Sequence, residues 1–523
     1  LIMKIIQNSV IGCFFITCWS LLCSIWKGSV LRKIFVQFGL ALSRNITGSW
    51  FCQLVWREGI LPKRLSSSIT YHVLILIVNL PITFVQRIYK IGSNYFRNSI
   101  TFRVVSAIGA SSYLLLGIFM LVMLIVPHRN WNNLYALCIM ILILLLFLVG
   151  SMARPDCRLE LATLGPYFLL FMGLVLYGFF SSLGTDFTNG FMQGLKNSLS
   201  LRFLVFYVIA FLVTIMLVNT IQSTKQLQLM LIIVLIGLVI ASLYGCYQGW
   251  QGVEVNPSQQ DMALNPGMPG RVYSFFDNPN AFGEILVMLM PFTLALLLNS
   301  KTWIGRTLVF ISMAICFIAI GLTYFRTGWV GLGMAVMIFL AMMNWRFLPI
   351  FFLVGLLALP LLPESIMNRI LTIGNFEDSS LQYRFSIYEE TVYLIRDYGM
   401  RGIGLGTDVM TEVFQHYPPM FDGNYPIHTH NHYLQIWVEL GFGGVITFLA
   451  SVIYQLKIGV KTFYSSTNKE ARNILAAGVG ALCAISGIGM LEYIWFYPRV
   501  MFVYFFLFGV IATAAKLAKR DIR

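Results

Sequence analysis

Charged residues are scarce in this chain: Asp, Glu, Lys and Arg make up 11% of its 523 residues, whereas an average soluble domain has about a quarter. The mean hydropathy is +0.78, which is too apolar for a water-exposed fold of this size. The apolar residues come in blocks of about 16 to 24, close to the length of a helix that crosses a bilayer. A membrane barrel would show short alternating strands instead. The composition therefore predicts an all-α polytopic membrane protein.

Cysteine motifs are also lacking. The nine cysteines are scattered, mostly within apolar blocks, and no C-x-x-C pair occurs among them. We therefore expect neither a disulfide framework nor a metal site built on cysteine. Cysteines in such blocks behave as small buried hydrophobic residues. Neither a metal nor another cofactor is expected.

Acidic residues are fewer than basic ones, 21 against 36, which gives a formal net charge of +15. In a soluble protein this excess would suggest nucleic acid binding. In a membrane protein, the positive-inside rule and attraction to anionic headgroups account for it. The expected partners therefore include membrane lipids and exclude nucleic acid.

The imbalance is greatest in residues 1–103, where Glu58 is the single acid among many cations. Two apolar stretches, 10–26 and 71–85, are short and bracketed by cations. We interpret residues 1–103 as a basic N-terminal segment on the cytoplasmic side, with amphipathic helices on the inner leaflet. Two short spans or a re-entrant hairpin are the alternative.

From residue 104 to residue 516 the apolar blocks become regular and predict a transmembrane domain. Lys and Arg fall on alternate connections, so these connections and the tail 517–523 are expected in the cytoplasm. The opposite side receives a large loop, 363–432, and loops longer than about 15 residues are usually functional. The twelve candidate spans are 104–126, 134–150, 164–182, 202–219, 228–247, 281–298, 307–323, 328–343, 347–362, 433–456, 473–490 and 499–516.

The densest polar motif, HTHNHYL, closes this loop. His428, His430 and His432 flank Asn431 there, directly before an apolar span. Histidine is the usual proton acceptor near neutral pH, so the motif predicts a general base at the mouth of a helix. A metal site is an alternative that the spacing disfavours, because residues two apart do not share a helix face. Ordinary polarity of an interfacial loop is a further alternative.

Three arginines are expected on the same side. Arg326 lies in the hairpin LTYFRTGWVGLG, where charge is costly and usually functional, although a snorkelling interfacial arginine is the alternative. Arg384 lies on a predicted helix over 381–398. Arg271 belongs to the turn GRVYSFFDNPNAFGE, in which Asn280 is expected to cap the next span. Arginines are suited to binding phosphate, so these residues predict an anion site beside the histidines.

Together these pieces resemble the O-antigen ligase and polymerase superfamily, bacterial membrane proteins that move lipid-linked glycans on the outer side of the cytoplasmic membrane. The resemblance covers roughly residues 104–516. It rests on the order of GRVYSFFDNPNAFGE, LTYFRTGWVGLG, GMRGIGLGTDV and HTHNHYLQIWVELGFGG. The last motif contains Glu439.

The resemblance implies that His430 is the base and that Arg326 and Arg384 bind the undecaprenyl diphosphate of the donor. It also implies a reaction that does not depend on a metal. The further candidates for binding substrate are Arg271, Asn280, His428, Asn431, His432 and Glu439.

The activity implied by the resemblance is glycan transfer from an undecaprenyl-diphosphate-linked donor to an acceptor hydroxyl on a lipid, glycan or protein. It takes place on the extracytoplasmic face of the bacterial cytoplasmic membrane. We favour a ligase over a polymerase of lipid-linked repeat units. A secondary solute transporter is the alternative from another class, but transporters place polar residues near the bilayer midplane, and here they gather at one face. A scaffolding role would leave the arginines and histidines unexplained.

Overall fold

The computed structural model describes residues 67–256, 267–371, 379–420 and 423–520, with residue 373 and scattered positions between 17 and 64. The chain divides into two units, Leu1–Lys63 and Arg64–Arg523, and the architecture below is that of the second. The stretch 10–26, predicted to be amphipathic, lies largely outside the described residues.

The described residues of the second unit contain helices and no strands, so the predicted all-α class is confirmed. The helices are α1 (Ile69–Ile91), α2 (Ser93–Asn98), α3 (Ile100–Ala110), α4 (Ser112–Ile125), α5 (Asn133–Ser151), α6 (Pro166–Phe180), α7 (Phe191–Asn197), α8 (Leu201–Thr220), α9 (Thr224–Gln251), α10 (Pro279–Leu289), α11 (Pro291–Asn299), α12 (Trp303–Leu322), α13 (Arg326–Asn344), α14 (Leu348–Ala358), α15 (Glu364–Leu371), α16 (Ser379–Tyr398), α17 (Thr407–Phe414), α18 (His432–Ser465), α19 (Lys469–Ile488) and α20 (Pro498–Arg520).

Polar caps mark where many of these apolar helices begin. The side chain of Asn132 accepts a hydrogen bond from the second residue of α5, and Ser223 and Thr302 cap α9 and α12 in the same way. A cap satisfies one of the backbone N–H groups that a helix start leaves unpaired. The side-chain chemistry at these turns therefore determines where each apolar block becomes helical.

Ten helical segments among the described residues are long and apolar enough to cross a membrane, or eleven if the bent pair α3–α4 is one span. The multi-pass membrane architecture is thus confirmed. The differences from the predicted spans are local. Helix α1 is an additional candidate span, the block 104–126 bends by 60° within α3–α4, and α6 has 15 residues.

Residues 326–361 count as one span by length and composition, but the geometry divides them into two antiparallel helices. A straight helix of these 36 residues would be about 54 Å long. The hydroxyl of Tyr324 and the Oγ of Ser365 are nevertheless 2.9 Å apart. The chain must therefore reverse at the 3-10 turn Trp345–Phe347 between α13 and α14, as the two predicted spans 328–343 and 347–362 require.

The large loop is anchored to a break in α18. The helix is interrupted at Gly441, whose φ is 71°. The segment between α16 and α17 pairs with the broken helix, and the Ile403 N–H donates to the Val438 carbonyl at 2.9 Å. Gly402 permits this approach, because a Cβ there would lie 2.4 Å from the Glu439 carbonyl oxygen, and its φ of 78° favours glycine.

The turns between the long helices lie at two ends of the bundle. We call the end where α10, α13, α18 and α20 begin the loop end, since it carries the large loop. The opposite end, where α9, α12 and α19 begin and α20 finishes, is the tail end. Asn468 and Thr224 meet at the tail end at 3.2 Å, whereas Asn280 and Glu492 meet at the loop end at 3.3 Å.

Candidate active site

The histidine turn, residues 428–431, is held rigidly at the start of α18. The side-chain oxygen of Asn431 accepts hydrogen bonds from the Tyr433 and Leu434 N–H groups at 3.0 and 3.1 Å. Its amide nitrogen donates to the Met490 carbonyl at 3.0 Å. Both ends of the Asn431 side chain thus have protein partners that fix this turn against the segment between α19 and α20.

His430 occupies the tip of the turn with φ of 47°, a left-handed backbone conformation that is uncommon outside glycine and often found at functional sites. Its Nδ1 lies 3.8 Å from the Glu492 carboxylate, and its side chain is 30% exposed. This Nδ1 has no hydrogen-bond partner among the described residues. His430 is therefore the histidine of this turn that has both a nearby carboxylate and a partly exposed side chain.

His428 lies beside it in a different environment. Its ring is 4.1 Å from the His430 ring and 4.5 Å from the Phe496 ring, centroid to centroid. The Nδ1 of His428 accepts a hydrogen bond from the His430 N–H at 3.2 Å. Burial, together with the neighbouring His430, lowers the pKa of His428 to about 3. His428 is thus a weak base that supports the backbone of the turn.

His432, the first residue of α18, is 1% exposed. Its ring packs 4.3 Å from the Trp495 ring and 5.1 Å from the Phe448 ring. Neither ring nitrogen has a hydrogen-bond partner among the described residues. Enclosure by aromatic side chains separates His432 from any substrate at the surface.

Glu492, in the turn between α19 and α20, joins the histidine turn to the arginines. Its Oε1 accepts hydrogen bonds from Arg384 Nη2 at 2.7 Å and from Asn280 Nδ2 at 3.3 Å. Burial raises the pKa of Glu492, but the charge of Arg384 and the adjacent His430 outweigh it, so the pKa is lowered to about 2. The sequence interpretation missed this residue. An acid in a short connection between two apolar spans was the available signal.

Arg271 approaches from the segment before α10 and is 8% exposed. Its Nε donates to the Thr323 carbonyl at 2.8 Å, and its Nη2 donates to Asn280 Oδ1 at 2.5 Å. Asn280 therefore links Arg271 to Glu492. The prediction that Asn280 caps this helix is wrong: the side chain of Asn278 accepts from the first N–H groups of α10 instead.

The charges of three other arginines act on Arg271 at this end. Burial lowers the pKa of Arg271 to about 9, and the charges of Arg369, Arg326 and Arg384 add to this effect, while Glu492 opposes it. Arg326 is the first residue of α13, and Arg369 lies buried on α15. Arg369 was not predicted, since its short helix had no recognised motif. Like charges are gathered here at an energetic cost, which indicates a site for an anion.

The backbone adds to this positive field. Helices α10, α13 and α18 all begin at the loop end. Asn278 and Asn431 cap α10 and α18, whereas α13, which starts at Arg326, has no side-chain cap among the described residues. The N-terminus of a helix carries a partial positive charge and favours phosphate groups. Guanidinium groups and helix dipoles therefore favour the same class of ligand.

Glu439 lies apart from this cluster. It is buried within α18, where its Oε1 accepts from Gln435 at 2.9 Å and from the Tyr493 hydroxyl at 3.3 Å. In the part of the chain that the structure describes, no ion pair connects it to the arginines. Within the same part, no group of three His, Cys, Asp or Glu side chains is placed to hold a metal ion.

The geometry can be compared with known families. Residues 311–449 match a family model described as O-antigen ligase. The matched region runs from α12 into α18 and includes Arg326, Arg384 and His430. A comparison with curated proteins gives no match. Over these residues the chain is similar to the O-antigen ligase family, in agreement with the resemblance of its motifs.

Proposed function

We propose that this protein transfers a glycan from an undecaprenyl-diphosphate-linked donor to an acceptor hydroxyl on the extracytoplasmic face of the membrane. The chain has many membrane-spanning helices and an O-antigen ligase domain, a family of glycan ligases and polymerases. The observation that carries the proposal is the convergence of four arginines from separate segments beside His430. An anion site next to a proton acceptor is what transfer from a lipid diphosphate requires.

The arginines are proposed to hold the diphosphate of the donor. Arg384 is anchored by Glu492, and its buried Nε has no hydrogen-bond partner among the described residues. Arg326 presents a second guanidinium at the start of α13, where the helix dipole also favours an anion. As the sugar–phosphate bond breaks, negative charge grows on the leaving diphosphate, and fixed cations stabilise it.

His430 is proposed to be the base. The acceptor oxygen attacks the anomeric carbon, the His430 imidazole takes the hydroxyl proton, and the lipid diphosphate leaves with the electron pair of the broken carbon–oxygen bond. Because the nucleophile enters opposite the leaving group, the anomeric configuration inverts. His428 accepts a backbone hydrogen bond and His432 is enclosed, which leaves His430 as the histidine suited to this role.

The extracytoplasmic placement is supported by the distribution of charge. The tail end carries cations in its turns and helix ends, and the positive-inside rule assigns such an end to the cytoplasm. The loop end with the proposed site then faces outward. The tail-end cations are Arg154, Arg158, Lys225, Lys301, Arg306, Arg346, Lys469 and Arg520.

Cysteine labelling tests this placement. In a cysteine-free background, Glu412→Cys on α17 should react with a membrane-impermeant maleimide in spheroplasts. Lys301→Cys at the tail end should react only after permeabilisation. Both positions are exposed, so the reverse labelling pattern would put the site on the cytoplasmic side.

Glycan transfer tests the activity. Membranes holding wild type or His430→Ala receive a purified lipid-diphosphate-linked donor and candidate acceptors, and the size and attachment of the product are read out. His416→Ala, an exposed histidine of the same loop, is the matched control. We expect transfer by wild type and the control and its loss in His430→Ala at equal protein level.

The product then separates the two branches of the family. An unchanged glycan on a new acceptor identifies a ligase, which we favour, and a lengthened lipid-linked chain identifies a polymerase. If wild type transfers nothing from any of these donors, or His430→Ala is fully active, the proposed function is wrong. Solute uptake by wild type would then be measured.

A further inference from the structure

Glu492 contacts both halves of the proposed machinery. One carboxylate oxygen accepts a 2.7 Å hydrogen bond from Arg384, and the other lies 3.8 Å from His430 Nδ1. These two residues come from different parts of the large loop, α16 and the histidine turn, and their alignment depends on a third segment. We propose that Glu492 is a positioning residue that anchors Arg384 and orients His430 toward the acceptor. This role rests on the proposed function.

The segment that carries Glu492 is itself fixed to the histidine turn. The His432 N–H donates to the Gly489 carbonyl at 2.8 Å, and the Tyr433 hydroxyl donates to the Ser486 carbonyl at 2.6 Å. The Tyr388 hydroxyl, on the same helix as Arg384, lies 3.3 Å from the His430 carbonyl. These contacts fix the position of the Glu492 carboxylate relative to the side chains of Arg384 and His430.

Geometry and charge both favour a carboxylate at this position. A guanidinium and an imidazole N–H are donors only, so a group between them should present acceptor oxygens to both sides. At 3.8 Å the carboxylate is not hydrogen-bonded to His430 Nδ1, but its negative charge favours a proton on that nitrogen, which leaves Nε2 for proton transfer. Glutamine offers one acceptor and one donor group, and therefore serves one of the two neighbours at most.

The simpler alternative is that Glu492 only neutralises Arg384. The two roles predict the same effect on donor binding but different effects on turnover. If neutralisation were the whole role, removing the negative charge would free Arg384 for the diphosphate and leave turnover intact. If Glu492 also orients His430, diphosphate affinity is kept or increased, whereas kcat falls because the imidazole is no longer oriented.

The test uses the full-length protein and measures two quantities for each variant. One is the Kd for undecaprenyl diphosphate, which needs no acceptor, and the other is kcat for glycan transfer. For Glu492→Gln we expect a Kd equal to or lower than that of wild type and a kcat reduced about 100-fold. Glu412→Gln, at an exposed position of α17, should leave both unchanged.

Glu492→Asp provides a second variant if the glutamine protein does not fold. It keeps the charge but withdraws the carboxylate by one methylene, so kcat should fall about tenfold with Kd retained. A kcat within about threefold of wild type in either variant, or a parallel loss of affinity and kcat, overturns the positioning role. Wild-type protein that neither binds the diphosphate nor transfers glycan overturns the proposed function itself.

Discussion

The two ends of the bundle both hold many basic residues, but they arrange them differently. At the tail end, Arg520 pairs with Glu160 at 2.9 Å, and both side chains are nearly half exposed. At the loop end, Arg271 is buried and Arg384 is 14% exposed, with Glu492 as their shared acid, reached by Arg271 through Asn280. Exposed pairs contribute little energy, whereas buried like charges are costly unless a ligand compensates for them.

This difference shows which features distinguish a candidate anion-binding site from an ordinary basic surface. Positive charge alone orients a membrane protein, and the exposed tail-end cations need no more than water and nearby acids to be stable. The loop end adds burial, helix N-termini and a histidine held in a left-handed turn. Disrupting the tail end should therefore affect stability, and disrupting the loop end should affect transfer.

The largest expected effect separates the two ends directly. Arg384→Ala should lower kcat/KM for glycan transfer about 100-fold, because it removes a guanidinium that we propose to bind the leaving diphosphate. Arg520→Ala, which breaks an exposed ion pair, should change transfer by about twofold at most. Assays at equal protein level decide between these outcomes, and similar losses in both variants would contradict the comparison.

The anchor of the large loop should affect stability strongly. Gly402→Ala places a Cβ 2.4 Å from a backbone oxygen at φ of 78°, and should lower the free energy of unfolding by about 3 kcal/mol. Gly423 has the same φ but open space around it, so Gly423→Ala should cost about 1 kcal/mol. Thermal unfolding in detergent measures both, and equal costs would argue against the contact with α18.

The histidine turn should make stability depend on pH. Because the pKa of His428 is lowered to about 3, the unfolded chain binds a proton below about pH 6.5 that the folded protein does not. Stability is therefore complete above that pH and is lost as pH falls, by about 2 kcal/mol between pH 6.5 and 5. The charged and titratable groups facing His428 are His430, Glu492 and Arg384.

His428→Asn tests this origin, since asparagine retains an acceptor for the His430 N–H and does not titrate. We expect the decrease in melting temperature between pH 6.5 and 5 to become smaller in this variant. A decrease as large as that of wild type would assign the pH dependence to other groups.

The smallest effect on transfer is expected at a buried lysine of the tail end. Lys516 on α20 donates hydrogen bonds to the Val218 and Ile221 carbonyls at the end of α8. Lys516→Met should lower the free energy of unfolding by about 1.5 kcal/mol, because it removes a charged donor from those carbonyls. Transfer per folded molecule should remain at the wild-type rate. A large loss of transfer without a loss of stability would show that the tail end takes part in the reaction.

The sequence singled out candidate residues but not all of their contacts. Arg326 and His430 stand out because charge and histidine are conspicuous at the ends of apolar spans, whereas Arg384 lies on a predicted helix of the large loop. Glu492 and Arg369 could not be grouped with them, since Glu492 lies 108 positions beyond Arg384 in the chain. The cap of α10 was misassigned for a local reason: Asn278 and Asn280 both suit a helix start, and the backbone of the turn selects one.

By itself the sequence determined that this is a helical membrane protein, where most of its spans lie and which family its motifs resemble. These properties depend on composition and local periodicity, because the bilayer requires every backbone group to be satisfied within helices. The tertiary structure decided which histidine is partly exposed, which acid joins it to the arginines and where the chain reverses between α13 and α14. Those features depend on contacts between distant segments, which no local pattern encodes.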